Sequence, residues 1–105
     1  MATEPNWLER ALKPAVLARL RGLKDGALTI VDGDRAHRFG AVPPDAPELS
    51  ATVTVRDPAF WPALALQGSV GAGATYVDGA WDADDLARLV RIFVRNRDVL
   101  NGLER

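Results

Sequence analysis

Leu49-Ser50-Ala51-Thr52-Val53-Thr54-Val55-Arg56-Asp57-Pro58 decides the fold class, because it ends one hydrophobic period and begins another. Leu49, Ala51, Val53 and Val55 alternate with Ser50, Thr52 and Thr54. That period of two marks a half-buried strand. Asp57-Pro58 then carries the chemistry of a helix start, an acidic cap followed by a proline preset for the first turn. Upstream, Ala27-Leu28-Thr29-Ile30-Val31 is rich in β-formers, Asp32-Gly33-Asp34 is a turn, and Arg35 to Phe39 returns as the second arm of a hairpin. Gly40 to Pro47 holds Pro43, Pro44 and Pro47 and reads as a loop. Strands grouped together, with helices before and after, predict an α+β fold. The expected architecture is a small antiparallel-dominated sheet, a meander, with helices packed on one face.

Working outward, Asn6 and Glu9 have the spacing of a capping box. Trp7, Leu8, Ala11, Leu12, Ala15, Val16, Leu20 and Leu23 recur at near-helical spacing. Pro14 predicts a kink or a division into two short helices. On the other side, a helix is expected from Ala59 to about Gln67, stopped by Gly68. Ser69 to Tyr76 reads as a short helix or an irregular turn, Asp78-Gly79 as a turn, and Ala80-Trp81 as a short strand. Asp82 is the expected cap of a last helix from Ala83 to about Asn96, with Leu86, Leu89, Val90, Phe93 and Val94 as its apolar face.

The chain has 105 residues, 48% hydrophobic and 26% charged, with a formal charge of −1. That is one domain's worth of chain, with no basic field to hold nucleic acid. Cysteine is absent, so disulfides and thiolate metal sites are excluded, and a cytoplasmic location is compatible. Met1-Ala2-Thr3-Glu4-Pro5 has neither the basic start nor the apolar core of a secretory leader. No apolar run approaches the ~18–20 residues that span a bilayer, so any membrane contact is expected to be peripheral.

No catalytic set, cofactor loop or metal site emerges from the residues. Gly68-Ser69-Val70-Gly71-Ala72-Gly73 has the wrong spacing for a dinucleotide loop and follows a helix instead of a strand. Asp78, Asp82, Asp84 and Asp85 lack the spacing of a calcium loop and suit turns and a helix N-terminus. His37, the single histidine, is expected on the surface of a strand. Two groups remain as candidate lipid or partner contacts. Arg88, Arg91 and Arg95 share one helical face that suits phosphate head groups or an acidic partner. Phe60, Trp61, Tyr76 and Trp81 suit core packing or, more sharply, an apolar groove for an acyl chain. Val99, Leu100 and Leu103 extend past the last helix and motivate a homodimer or another assembly contact.

From Ala27 to Arg97, about two-thirds of the chain, the sequence resembles the N-terminal region of the cyclopropane-fatty-acyl-phospholipid synthase family. The carriers are Leu28-Thr29-Ile30-Val31 … Asp34 … Phe39-Gly40 and Ala51-Thr52-Val53-Thr54-Val55-Arg56-Asp57-Pro58-Ala59-Phe60. Then come Tyr76-x-Asp78-Gly79-x-Trp81-x-x-x-Asp85-Leu86 and Leu89-x-Arg91 … Arg95-Asn96-Arg97. The family commonly has a glutamate where this chain has Ala74.

The resemblance implies a parent enzyme that uses S-adenosylmethionine to add a methylene to a double bond in a phospholipid acyl chain. Its cofactor and catalytic residues belong to a following methyltransferase domain, and none is carried onto this chain. Residues 1–105 are then a single non-catalytic domain, with 98–105 as a tail or the start of a linker. Its expected role is lipid docking or interdomain contact in lipid biosynthesis, in the cytoplasm or peripherally at the inner membrane surface. Ala51 to Leu89 is also similar to the sterol-carrier-protein-like fold, which implies lipid binding. The alternatives are a stand-alone acyl-lipid carrier and a dimerisation or interaction module.

Overall fold

The hairpin and the strand after it are where the alternation predicts, but they assemble differently from a meander. The computed structural model describes residues 7–100, and the side chains of all of these except 7–10, 69, 99 and 100. The capping pair Asn6/Glu9 and the apolar Val99, Leu100 and Leu103 therefore lie, by residue or side chain, outside what is described. The chain runs α1 (Trp7–Leu20), β1 (Gly26–Asp32), β2 (Arg35–Ala41), β3 (Ser50–Val55), α2 (Phe60–Val77), β4 (Trp81–Ala83), α3 (Leu86–Arg95) and α4 (Arg97–Leu100). Together they form a compact α+β domain with a four-stranded sheet in the order β2-β1-β3-β4.

β1 and β2 pair antiparallel from Asp32↔Arg35 to Gly26↔Ala41. β3 and β4 pair antiparallel from Val55↔Trp81 to Val53↔Ala83. The central pair, β1 with β3, is parallel, from Ala27↔Ser50 to Asp32↔Val55. The sheet is therefore mixed, not a meander. The proline-rich loop after β2 carries the chain across β1 to its far side. This places the apolar strand β1 between two partners and leaves β2, with Arg35 and Arg38 exposed, at an edge. Leu28, Ile30, Phe39, Ala51, Val53 and Val55 are buried on the inner face, while Thr29, Arg38, Thr52 and Thr54 are half-buried or exposed on the other.

The helices follow expectation only in part. α1 continues through Pro14 as one helix and buries Val16 and Leu20. α2 is interrupted at Gly68, as expected, and of the two alternatives for the segment after it the short helix is what forms, running on to Val77. Gly68 has φ 58° and ψ −133°, a conformation open essentially only to glycine. The predicted cap Asp57 accepts from the Ala59 N–H at 2.9 Å, one turn ahead of the helix proper, whose N-cap is Ala59.

α3 is capped by Asp85, not Asp82, with its carboxylate accepting from the Arg88 N–H at 3.0 Å. Asp82 belongs to β4 instead. Asp84 continues the sheet pairing, donating its N–H to the Thr52 carbonyl at 3.0 Å and accepting the Thr52 N–H at 2.8 Å. Helix formation must wait until that pairing ends. The short strand is accordingly Trp81–Ala83 and not Ala80-Trp81.

The register of α3 also differs. Leu89 and Ile92 are its buried residues, whereas Leu86, Val90 and Val94 are 40%, 52% and 57% exposed. Asn96, only 2% exposed, closes this helix onto the sheet. Its Oδ1 accepts from the backbone N–H groups of Lys24 and Asp25 at 2.9 and 3.1 Å. Its Nδ2 donates to the carbonyls of Asp25 and Ile92 at 2.9 and 2.7 Å.

All four hydrogen-bonding positions of this carboxamide are thus used inside the fold. Asn96→Ala orphans two backbone donors at the entry to β1. The expected loss of stability is about 2–4 kcal/mol, read from the midpoint of urea denaturation at unchanged slope.

Candidate functional site

The second half of α2 is built from small residues, Gly71, Ala72, Gly73 and Ala74, and that composition shapes the site. The break at Gly68 folds this half back until the Gly71 Cα lies against the first half. A Cβ placed there would fall 2.1 Å from the Ala63 carbonyl oxygen. The Trp81 indole N–H donates to the Ala72 carbonyl at 2.9 Å and ties the second half to the sheet edge.

α2 then ends in a Schellman motif. The Gly79 N–H donates to the Tyr76 carbonyl at 3.0 Å, and the Ala80 N–H donates to the Thr75 carbonyl at 2.8 Å. Gly79 supplies the required φ of 82°. The Ala80 carbonyl accepts from Arg56 and Asp57 at 2.7 and 3.0 Å, which delivers the chain into β4. The Tyr76–Trp81 part of the family-like run is thus a helix stop, a turn and a strand entry.

α1 packs on α2, and α3 packs on β1 and β3, but α2 and α3 barely touch. Between them lies an apolar cavity of about 320 Å³. Leu28, Ile30 and Val53 form its floor, with Leu20 and Leu64 behind. Ala72, Gly73 and Tyr76 line the α2 side, and Leu86, Leu89, Val90 and Phe93 line the α3 side. A Cβ at Gly73 would meet nothing within 4 Å. The gap therefore exists partly because side chains are missing from this helix face. An apolar cavity of this size is at the lower end of small-molecule sites, ~300–1,000 Å³, and favours an apolar occupant over water. Arg97 is the one charged residue among those lining it.

The structure brings together part of the sequence-predicted set. Phe60, Tyr76 and Trp81 all line the cavity. Their rings form a run, with centroids 5.9 Å apart for Phe60–Trp81 and 4.9 Å for Tyr76–Trp81. Trp61 packs edge-on to Phe60 at 4.9 Å, but it is buried elsewhere. Its indole N–H donates to Asp32 Oδ2 at 3.3 Å, and Lys13, ion-paired with the same carboxylate, sits 5.2 Å over its ring.

The three arginines are on a different surface and are engaged by carboxylates. Arg88 Nε is 3.3 Å from Asp85, Arg91 Nη2 is 3.0 Å from Glu48, and Arg95 Nη2 is 3.0 Å from Asp45. Glu48 and Asp45 lie on the loop between β2 and β3, so these pairs pin the crossover to α3. They also compete with any phosphate for the guanidinium groups.

The acidic run likewise has structural partners. Asp82 faces Arg56 at 3.4 Å, Asp84 pairs with Thr52 and Asp85 caps α3. Among the described residues, no three His, Cys, Asp or Glu side chains converge as a metal site. The cavity does not fit S-adenosylmethionine. Its described lining residues include no acidic side chain for ribose hydroxyls, and its glycines lie inside a broken helix instead of a strand-to-helix turn. His37 is half-buried opposite Ile30, not on the surface as expected, and its buried Nε2 has no partner among the described residues.

Sequence reasoning missed the floor of the cavity, Gly73 and Arg97. One signal was available: Leu86, Val90, Phe93 and Arg97 recur at steps of four, three and four, a single helical stripe that ends in a cation. No described helix is long and apolar enough to cross a membrane. No protein-family model, curated protein or solved structure matches the chain.

The hydrogen bond from Arg95 holds the Asp45 carboxyl below its ordinary value. Glu48 is held low first by a backbone hydrogen bond within its own residue and then by Arg91. A carboxyl depressed in the folded state stabilises it above the unfolded value and loses that contribution as pH falls through the folded value. Arg95→Gln should raise the Asp45 pKa towards that of a free aspartate while leaving Glu48 low, as checked by NMR titration of the side-chain carboxyl carbons.

Proposed function

We propose that this domain binds an acyl chain in the cleft between α2 and α3. It does so as the non-catalytic N-terminal module of a cyclopropane-fatty-acyl-phospholipid synthase-like, S-adenosylmethionine-dependent methyltransferase, docking lipid for a following catalytic domain. The observation that carries the reading is the apolar cavity of about 320 Å³, with Phe60, Tyr76 and Trp81 in its wall. The family-like Tyr76-x-Asp78-Gly79-x-Trp81 run supports it, because that run stops α2 and places both aromatics beside the cavity. The α+β order, with its glycine-bounded helix break, suits a sterol-carrier-protein-like arrangement. A stand-alone acyl-lipid carrier is the second reading, favoured by the same apolar cavity. The exposed Leu86, Val90 and Val94 on α3 favour contact with a catalytic domain, a lipid surface or a second copy.

The purified chain should take up a fluorescent fatty acid saturably. Gly73→Leu places a side chain in the open space and removes glycine from a helix interior. It should weaken uptake about tenfold or more while leaving stability unchanged or raised by up to about 1 kcal/mol. No uptake by the wild type, or equal uptake by Gly73→Leu, overturns the reading.

A further inference from the structure

The cavity is apolar except at one point, and that point carries a positive charge. Arg97 opens α4 directly after the Asn96 clamp, lines the cavity, and is solvent-exposed. It differs from the other arginines of this region. Arg88, Arg91 and Arg95 are each held by a carboxylate, whereas among the residues whose side chains are described no carboxylate lies within ion-pairing distance of Arg97. The other polar side chain of the lining, Tyr76, carries a hydroxyl and no opposing charge. A cavity with apolar walls and one exposed cation matches an amphiphile with an anionic head, tail inward and head towards solvent.

Resting on the acyl-chain reading above, we infer that the ligand is a single-chain anionic amphiphile, a long-chain carboxylate, whose head group is paired by Arg97. The guanidinium presents a planar fork of donors that suits a carboxylate bidentately. It stays charged at any physiological pH, so recognition persists wherever the ligand is ionised. The Asn96 clamp fixes the end of α3 against β1 and thereby fixes where Arg97 sits relative to the cavity floor.

The test is competition between oleate, oleyl alcohol and a bound fluorescent fatty acid, for the wild type, Arg97→Gln and Gly73→Leu. Wild type should prefer oleate over the alcohol, more so at low salt. Arg97→Gln should lose about fivefold in oleate affinity while oleyl alcohol binds as before, and Arg97→Lys should recover part of the preference. An unchanged oleate-to-alcohol ratio in Arg97→Gln overturns this inference while leaving the acyl-chain reading intact. Failure of both ligands to bind, or binding of both undiminished by Gly73→Leu, overturns the acyl-chain reading and this one with it. Sedimentation with phosphatidylglycerol vesicles separates the source of the anion. If Arg97→Gln weakens vesicle binding while the oleate ratio is unchanged, a bilayer head group is the partner and the free carboxylate is excluded.

Discussion

One buried carboxamide holds the two ends of this fold together. Asn96 bonds the backbone of Lys24 and Asp25, more than seventy residues away in the chain, and the carbonyl of Ile92 in its own helix. Without it, the N–H groups of Lys24 and Asp25 at the entry to β1 lose their partner inside the fold. The strand that occupies the centre of the sheet is thus anchored by the helix that forms one wall of the cavity. Position follows from this: Leu89 and Ile92 are driven onto the sheet, Leu86 and Val90 are left at the rim, and Arg97 is set at the cavity.

The opposite wall is set by backbone geometry. Gly68 turns the helix through a conformation that other residues avoid, and the bare Gly71 lets the two halves of α2 approach closely. Trp81 then ties the second half to the sheet through the Ala72 carbonyl. A helix surface of glycine and alanine held beside a leucine- and valine-bearing helix leaves space that no side chain fills. In most cores that space would be a defect, since interiors are packed to crystal density. Here it lies beside four aromatic rings and a cation.

The charges that drew attention in the sequence are mainly structural. Arg91 and Arg95 hold the loop that makes the parallel crossover, because Glu48 and Asp45 come round to meet them. Asp82, Asp84 and Asp85 are divided between the end of a sheet and the start of a helix. The helical spacing of the arginines was legible, but the partners of Arg91 and Arg95 were not. Those partners are more than forty residues upstream, on a loop whose path depends on where β3 is placed.

The sequence by itself determined the local elements: the alternation of Leu49–Val55, the turn at Gly33, the glycine break at Gly68 and the α+β class. These depend on backbone dihedral preferences and short hydrophobic periods, which act over a few residues. It did not determine that β3 crosses to the far side of β1, or that Asp85 rather than Asp82 begins α3. Nor did it determine which stripe of α3 faces the sheet. Those were decided by competition between distant partners for the same backbone groups, as when Thr52 claims Asp84 and delays the helix. The cavity was decided in the same way, since an empty space between two helices belongs to no residue until both have been placed.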